Sequence, residues 1–288
     1  MIASKTFSKF QGYFFILLAA TLWGSIGPLA KLAFAQGVTP LEAAFYRAMF
    51  GWCFFFVHAL IKRSIKIELR ELPLFFVFSF FCVTLFFLSY QLAVARVGAS
   101  LASVLLYTAP AWVIVLARVF LGEKISPLKL IALGLTLVGV YLISFSGKDV
   151  QVKINYLGIF FGLLSGFTYA LYYILGKKIL THYNSFTIFT YILPLGCLPL
   201  FFFLPSTLPS NQALFTLFCL GFATTYLAYL SYYQGLKQLE ASKASMVATI
   251  EPVVASLLAF FFWGEVLSFT GYMGAVLILV AVVLTIRL

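Results

Sequence analysis

The stretch Ala241–Ser268, ASKASMVATIEPVVASLLAFFFWGEVLS, is apolar over a length that crosses a bilayer, yet Glu251 and Pro252 stand in its middle. An acid at that depth is costly and points to function. A proline there leaves a helical carbonyl without its partner. An earlier stretch, Ala99–Ser126, ASLASVLLYTAPAWVIVLARVFLGEKIS, repeats the pattern. Pro110 falls on Pro252, Gly122 on Gly264 and Glu123 on Glu265, each at an offset of 142 (252 − 110). Two long apolar copies of one segment imply a duplicated membrane protein.

The composition agrees. Of 288 residues, 63% are hydrophobic and 9% charged, whereas a soluble domain carries roughly 25% charge. There is too little polar surface to cover a water-facing globule. Runs of span length occur at about 12–34, 42–61, 73–94, 99–120, 128–146, 156–176, 186–204, 213–235, 243–263 and 269–286. They predict an all-α membrane protein of ten transmembrane helices. Thr39-Pro40 and Ser126-Pro127 read as an N-cap followed by proline at the first helical position, and Ser268 occupies the place of Ser126. The first run is too long for a secretory signal and is read as an uncleaved span. Cys53, Cys82, Cys197 and Cys219 lie inside apolar runs without close pairing, and read as small buried hydrophobes. No His/Cys/Asp/Glu cluster has metal-ligand spacing, and there is no Walker loop or nucleophile elbow. No metal, cofactor or catalytic residue is expected, and the chain does not read as an enzyme.

The net charge of +11 reads as a topology signal. With the N-terminus inside, Lys5, Lys9, Lys62, Arg63, Lys66, Arg70, Arg118, Lys124, Lys129, Lys177, Lys178, Lys237, Lys243 and Arg287 are cytoplasmic, leaving Lys31, Arg47, Arg96, Lys148 and Lys153 opposite. Both termini are then cytoplasmic, the lipid bilayer is the partner of this charge, and no nucleic acid is required. The first parts of the halves also match: Gly12, Phe14, Phe15, Leu17, Leu18, Leu29 and Lys31 recur as Gly158, Phe160, Phe161, Leu163, Leu164, Leu175 and Lys177, at an offset of 146 (158 − 12). Ser89-Tyr90 recurs as Ser231-Tyr232. The chain divides into two five-helix repeats, 1–147 and 148–288. Five spans is an odd number, so the second repeat is inverted, with the substrate site in a central cavity between the halves.

Several motifs occur in a fixed order. Trp23-Gly24 is followed by Lys31, then Thr39-Pro40 and Arg47. Tyr90 and Ala93 precede Ala99-Ser100 and Ala102-Ser103, and Pro110 leads to Leu121-Gly122-Glu123-Lys124. Tyr232, Ala241-Ser242, Glu251-Pro252 and Gly264-Glu265 follow in the second half. In this order and spacing the whole chain resembles the drug/metabolite transporter superfamily, in its ten-helix EamA-type branch. Ser25-Ile26 departs from it, because many relatives carry asparagine after the Trp-Gly pair. The resemblance implies a bacterial inner-membrane transporter of small organic solutes, with a central cavity and no cofactor. Relatives export amino acids and other metabolites, or import nucleotide-like compounds such as S-adenosylmethionine.

Glu251 would bind a cationic group of the substrate or carry a coupling proton; the alternative is a helix-packing hydrogen bond. Its counterpart in the first half is Ala109, so the acid belongs to one half alone. Arg47 and Lys31 would hold a substrate carboxylate or phosphate; the alternative is snorkelling to the headgroups together with a pair to Glu42. Trp23, Tyr90, Tyr107, Tyr169, Tyr173, Tyr229 and Tyr232 lie within spans and are assigned to the cavity lining, against a packing role for each. Pro28, Pro110 and Pro252 are read as hinges or kinks. Gly122-Glu123 and Gly264-Glu265 are read as turns whose carboxylates cap the next helix, near Ser126 and Ser268. The expected activity is secondary transport of a small-molecule substrate, an amino acid or related zwitterion, by alternating access, with a coupling proton or counter-substrate. Import of a nucleotide-like metabolite is the alternative within the class; an intramembrane enzyme or a channel are the alternatives outside it.

Overall fold

A computed structural model describes residues 2–146, 155–205 and 207–288, with residues 2–8 described as backbone alone. The expected repeat boundary at 147/148, Lys148, Lys153 and the side chain of Lys5 lie outside the described residues. Every regular element described is helical, as lipid demands when each backbone group must be satisfied within its own segment. In order these are α1 (Ile2–Gly24), α2 (Ile26–Ala35), α3 (Pro40–Ile61), α4 (Leu72–Ser79), α5 (Phe86–Leu106), α6 (Ala109–Phe120), α7 (Pro127–Ser144), α8 (Tyr156–Ile179), α9 (Ser185–Phe201), α10 (Asn211–Leu220), α11 (Ala228–Gln238), α12 (Ala241–Ala248), α13 (Glu251–Trp263) and α14 (Phe269–Arg287). A short 3₁₀ turn, Leu69–Glu71, leads into α4. π-helical turns at Phe80–Leu85 and Gly221–Leu227 join α4 to α5 and α10 to α11.

The expected caps are present. Thr39 accepts from the Glu42 N–H while Glu42 returns to the Thr39 N–H, a reciprocal capping box. Glu42 is thereby engaged with Thr39, and Arg47 has no ion pair with it among the described residues. Ser126 caps α7 through the Lys129 N–H, and Ser268 caps α14 through the Gly271 N–H.

Eight of the described helices are long and apolar enough to cross a membrane, against ten expected. The difference has a local cause. The run Leu69–Leu106 is continuous over 38 residues, which as a straight rod would be about 57 Å long, nearly twice a bilayer core. It turns instead at Gly98, whose φ of 81° and ψ of 163° are accessible only to glycine without strain. The remainder of the expected 99–120 span is the shorter Ala109–Phe120, and the expected 186–204 span is Ser185–Phe201. Three helix breaks follow from proline. Pro28, Pro110 and Pro252 each lack the N–H that would bond the carbonyl four residues earlier. Those carbonyls belong to Gly24, Leu106 and Ala248, the last residues of α1, α5 and α12.

The duplication is structural as well as sequential. α1 packs on α11 and its counterpart α8 packs on α5; α3 packs on the second π turn and α9 on the first. Both crossings depend on a glycine. A Cβ on Gly51 would meet the Thr225 side chain, and a Cβ on Gly196 would meet Val83 and stand 2.7 Å from the Ser79 carbonyl oxygen. Gly51 and Gly196 lie at an offset of 145 (196 − 51), the same as the N-caps Thr39 and Asn184 of α3 and α9, and Val83 and Thr225 at 142 (225 − 83). Small residues let membrane helices approach in this way. Gly196→Ala is therefore expected to lower the thermal stability of the purified protein in detergent, by about 1–3 kcal/mol of overpacking strain. Gly134→Ala, where a Cβ meets nothing within 4 Å among the described residues, is the control and should not lower the melting temperature.

Candidate substrate cavity and its closed end

A cavity of about 420 Å³ runs between the halves, within the ~300–1,000 Å³ typical of small-molecule sites. Trp23, Lys31, Arg47, Tyr90, Tyr107, Tyr169, Tyr229 and Glu251 all line it. The breaks made by Pro110 and Pro252 present two of these residues: Tyr107 precedes α6 and Glu251 opens α13. Glu251 interacts with Tyr107 and with the charge of Arg47. The Arg47 guanidinium lies 5.6 Å over the Phe87 ring. Its Nε is buried without a hydrogen-bond partner among the described residues. The lining runs from buried Tyr229 outward to exposed Gly27, Lys31, Phe34 and Pro40, so the cavity opens at that end.

The aromatic wall is layered. Trp23 donates from Nε1 to the Thr224 carbonyl at 3.1 Å and meets Tyr229 edge-on at 5.3 Å. Tyr169 stacks on Phe86 at 5.3 Å, and the Tyr90 hydroxyl bonds Ser103 Oγ at 3.3 Å. Tyr173 and Tyr232 do not line the cavity. They pack edge-to-face against each other at 5.2 Å, with Tyr173 against Tyr169 and Tyr232 against Trp23. One helical turn separates Tyr169 from Tyr173, and the groove between α8 and α11 takes up the second ring. Phe86, Phe87, Gln91 and Ser103 also line the cavity and were not singled out from the sequence. Ser103 belongs to the Ala102-Ser103 motif and Gln91 follows Tyr90, which was the available signal.

The opposite end is sealed by a polar cluster. Glu123 accepts from the N–H groups of Ala241 at 2.5 Å and Ser242 at 3.1 Å, and from the Ser242 hydroxyl. It thus caps α12 across the halves, not the following helix α7 as expected; Ser126 already caps α7. Lys129, only 5% exposed, donates to Glu240 at 2.6 Å, Ser242 Oγ at 3.0 Å and the Lys124 carbonyl at 2.8 Å. Burial pushes the Glu240 carboxyl up, but the hydrogen bond and charge of Lys129, with the charges of Lys243 and Lys9, outweigh it and hold the group below its ordinary value. Lys177 donates to the carbonyls of Leu239 at 2.6 Å and of Leu236. At the open end Glu265 does not cap α14 either; it pairs with Lys31 at 2.5 Å, both side chains more than half exposed.

The chain matches the EamA-like transporter family over residues 10–145 and 156–287, one match for each half. It belongs to that family. The transporter is 31% identical over 274 residues to an uncharacterized transporter of Archaeoglobus fulgidus, covering 94% of this chain and 95% of the relative. It is 25% identical over 260 residues to the uncharacterized transporter YdfC of Bacillus subtilis, covering 88% and 84%. Among solved structures, one described only as a crystal structure of a protein shares the fold, with a TM-score of 0.83 at 14% identity over 95% of both chains. The membrane-transporter class is thereby established, and it points away from an enzyme.

The two ends of the transporter differ in what their ion pairs contribute. Lys129→Met leaves Glu123 and Glu240 without their buried cation, and is expected to cost about 3 kcal/mol of stability. Lys31→Met removes an exposed pair and should cost under about 1 kcal/mol. Thermal unfolding of the purified variants measures both, and equal losses would contradict the assignment of a sealed and an open end.

Proposed function

We propose that the transporter binds a small zwitterion, an amino acid or close relative, in this cavity and carries it across the bacterial inner membrane by alternating access. One observation carries the substrate class: Glu251 and Arg47 line the same cavity, and neither joins an ion pair among the described residues. Unpaired opposite charges in a low-dielectric site are costly, and a ligand bearing both an ammonium and a carboxylate relieves the cost. Trp23, Tyr90, Tyr107, Tyr169 and Tyr229 would enclose its side chain, and Lys31 would draw its carboxylate to the mouth. Tyr173 and Tyr232 act one layer back, fixing Tyr169 and Trp23. Pro28, Pro110 and Pro252 serve as hinges. Glu251 also carries the coupling proton, unless a counter-substrate takes that part.

The same proposal includes the topology. Beyond Gly98 the end of Leu69–Leu106 joins Ala109–Phe120 in one further crossing, and Ser185–Phe201 adds another, so that eight become ten. The halves, 1–147 and 148–288, are inverted with respect to each other. The lysine and arginine bias supports cytoplasmic termini and an outward-facing cavity.

Flux into liposomes of labelled amino acids, with unlabelled competitors, tests this. Free amino acids are expected to compete, while N-acetyl derivatives without the cation and amides without the carboxylate are not. Glu251→Gln and Arg47→Gln are each expected to lower flux at least roughly tenfold, the usual scale for losing one member of a charge pair. Equal competition by the neutralised derivatives would sink the zwitterion reading. Stronger competition by S-adenosylmethionine or nucleotides would move the substrate to the nucleotide-like class. If Glu251→Gln leaves rate and pH dependence intact, the proton-carrying role is wrong.

A further inference from the structure

The ions that seal the closed end have copies at the open end. Lys177 corresponds to Lys31 (177 − 146) and Glu123 to Glu265 (123 + 142). Their partners are duplicated too. Leu236 and Leu239, whose carbonyls receive Lys177, correspond to Val94 and Val97 at the offset of 142. Ala241 and Ser242, which Glu123 caps, correspond to Ala99 and Ser100. In both halves the helix break lies between these two groups of partners, at Glu240, which is extended, and at Gly98. The contacts, however, are made at one end alone. Ala241 and Ser242 are buried beneath Glu123, whereas Gly98 and Ala99 are exposed and Val94 and Ala99 line the open cavity. Lys31 and Glu265 meanwhile bond each other.

We infer that Lys31 and Glu265 form the latch of the open end, held here in its released state. When the cavity closes, Lys31 leaves Glu265 for the carbonyls of Val94 and Val97. Glu265 moves onto the N–H groups of Ala99 and Ser100 and the Ser100 hydroxyl. Lys177 and Glu123 then release α11 and α12, opening the other end. The released latch keeps its two ions satisfied by pairing them, so neither is left bare in either state. The latches are unequal. The position of Lys129 is held by Gly271 in the second half (129 + 142), and that of Glu240 by Gly98 in the first (240 − 142). The Lys129–Glu240 pair therefore has no copy at the open end, which favours the state seen here, closed at Glu123 and open at Lys31.

This inference rests on the alternating-access reading but needs no substrate to test. In a background with Cys53, Cys82, Cys197 and Cys219 replaced, Gly27→Cys places one thiol on the cavity wall, where a Cβ meets nothing within 4 Å. Its rate of maleimide labelling is followed in lipid nanodiscs. Glu123→Gln weakens the closed latch and is expected to shift the open-to-closed ratio about tenfold, the scale of losing a charge-assisted hydrogen bond, and so to slow labelling. Lys177→Gln strikes the same latch from its other ion and should slow labelling likewise. Adding Glu265→Gln to Glu123→Gln removes the competing latch and should restore the parent rate. Unchanged labelling in both single variants, or a double variant as slow as Glu123→Gln, would overturn the latch. Zwitterion flux with unchanged labelling would leave the proposed function standing while removing this inference. The expected labelling pattern without zwitterion flux would do the reverse.

Discussion

A carboxylate or guanidinium surrounded by hydrocarbon must find a counter-charge, a proton or water. That requirement orders the charged residues of this transporter into distinct environments. Lys129, Glu123 and Glu240 satisfy one another at the sealed end. Lys31 and Glu265 pair where they are more than half exposed. Glu251 and Arg47 face the cavity without a mutual ion pair among the described residues. The apolar exterior, with Phe14, Phe76, Phe160 and Phe261 all exposed, carries the lipid contact.

The backbone obeys the same rule. At three of the helix breaks a proline has removed a donor, and Trp23, Tyr107 and Glu251 beside those breaks line the cavity. Pro110 and Pro252 set Tyr107 and Glu251 at the start of new segments, so one type of defect serves both halves. Only the second half fills the resulting position with an acid, because the equivalent of Glu251 is Ala109. Duplication supplies the scaffold of both halves, and divergence places the acid in one of them.

Much of this was legible in the sequence. The offsets of 142 and 146 located the repeats, and the Thr39, Ser126 and Ser268 caps follow from residue chemistry within three positions of each helix start. The family resemblance rested on the same motifs. What failed to show was contact across the halves. Glu123 stands beside Ser126 in sequence, so capping α7 was the natural reading; its real partners, Ala241 and Ser242, lie more than a hundred residues away. Periodicity placed Tyr169 and Tyr173 on one face of α8, but it cannot say where a cavity ends and a helix contact begins. The expected spans 73–94 and 99–120 part on either side of Gly98, but residue pattern alone does not say that the helix runs on past this bend to Leu106 and ends only before Pro110.

A cavity that carries a solute through a conformational cycle must support exchange of bound solute across the membrane. Counterflow tests it most directly. Liposomes bearing the transporter are preloaded with unlabelled amino acids and diluted into a trace of labelled ones. Transient accumulation of label above its equilibrium level is expected, with rates that saturate as external concentration rises. Flux that stays linear with concentration and shows no overshoot would mark an open pore, and would contradict it.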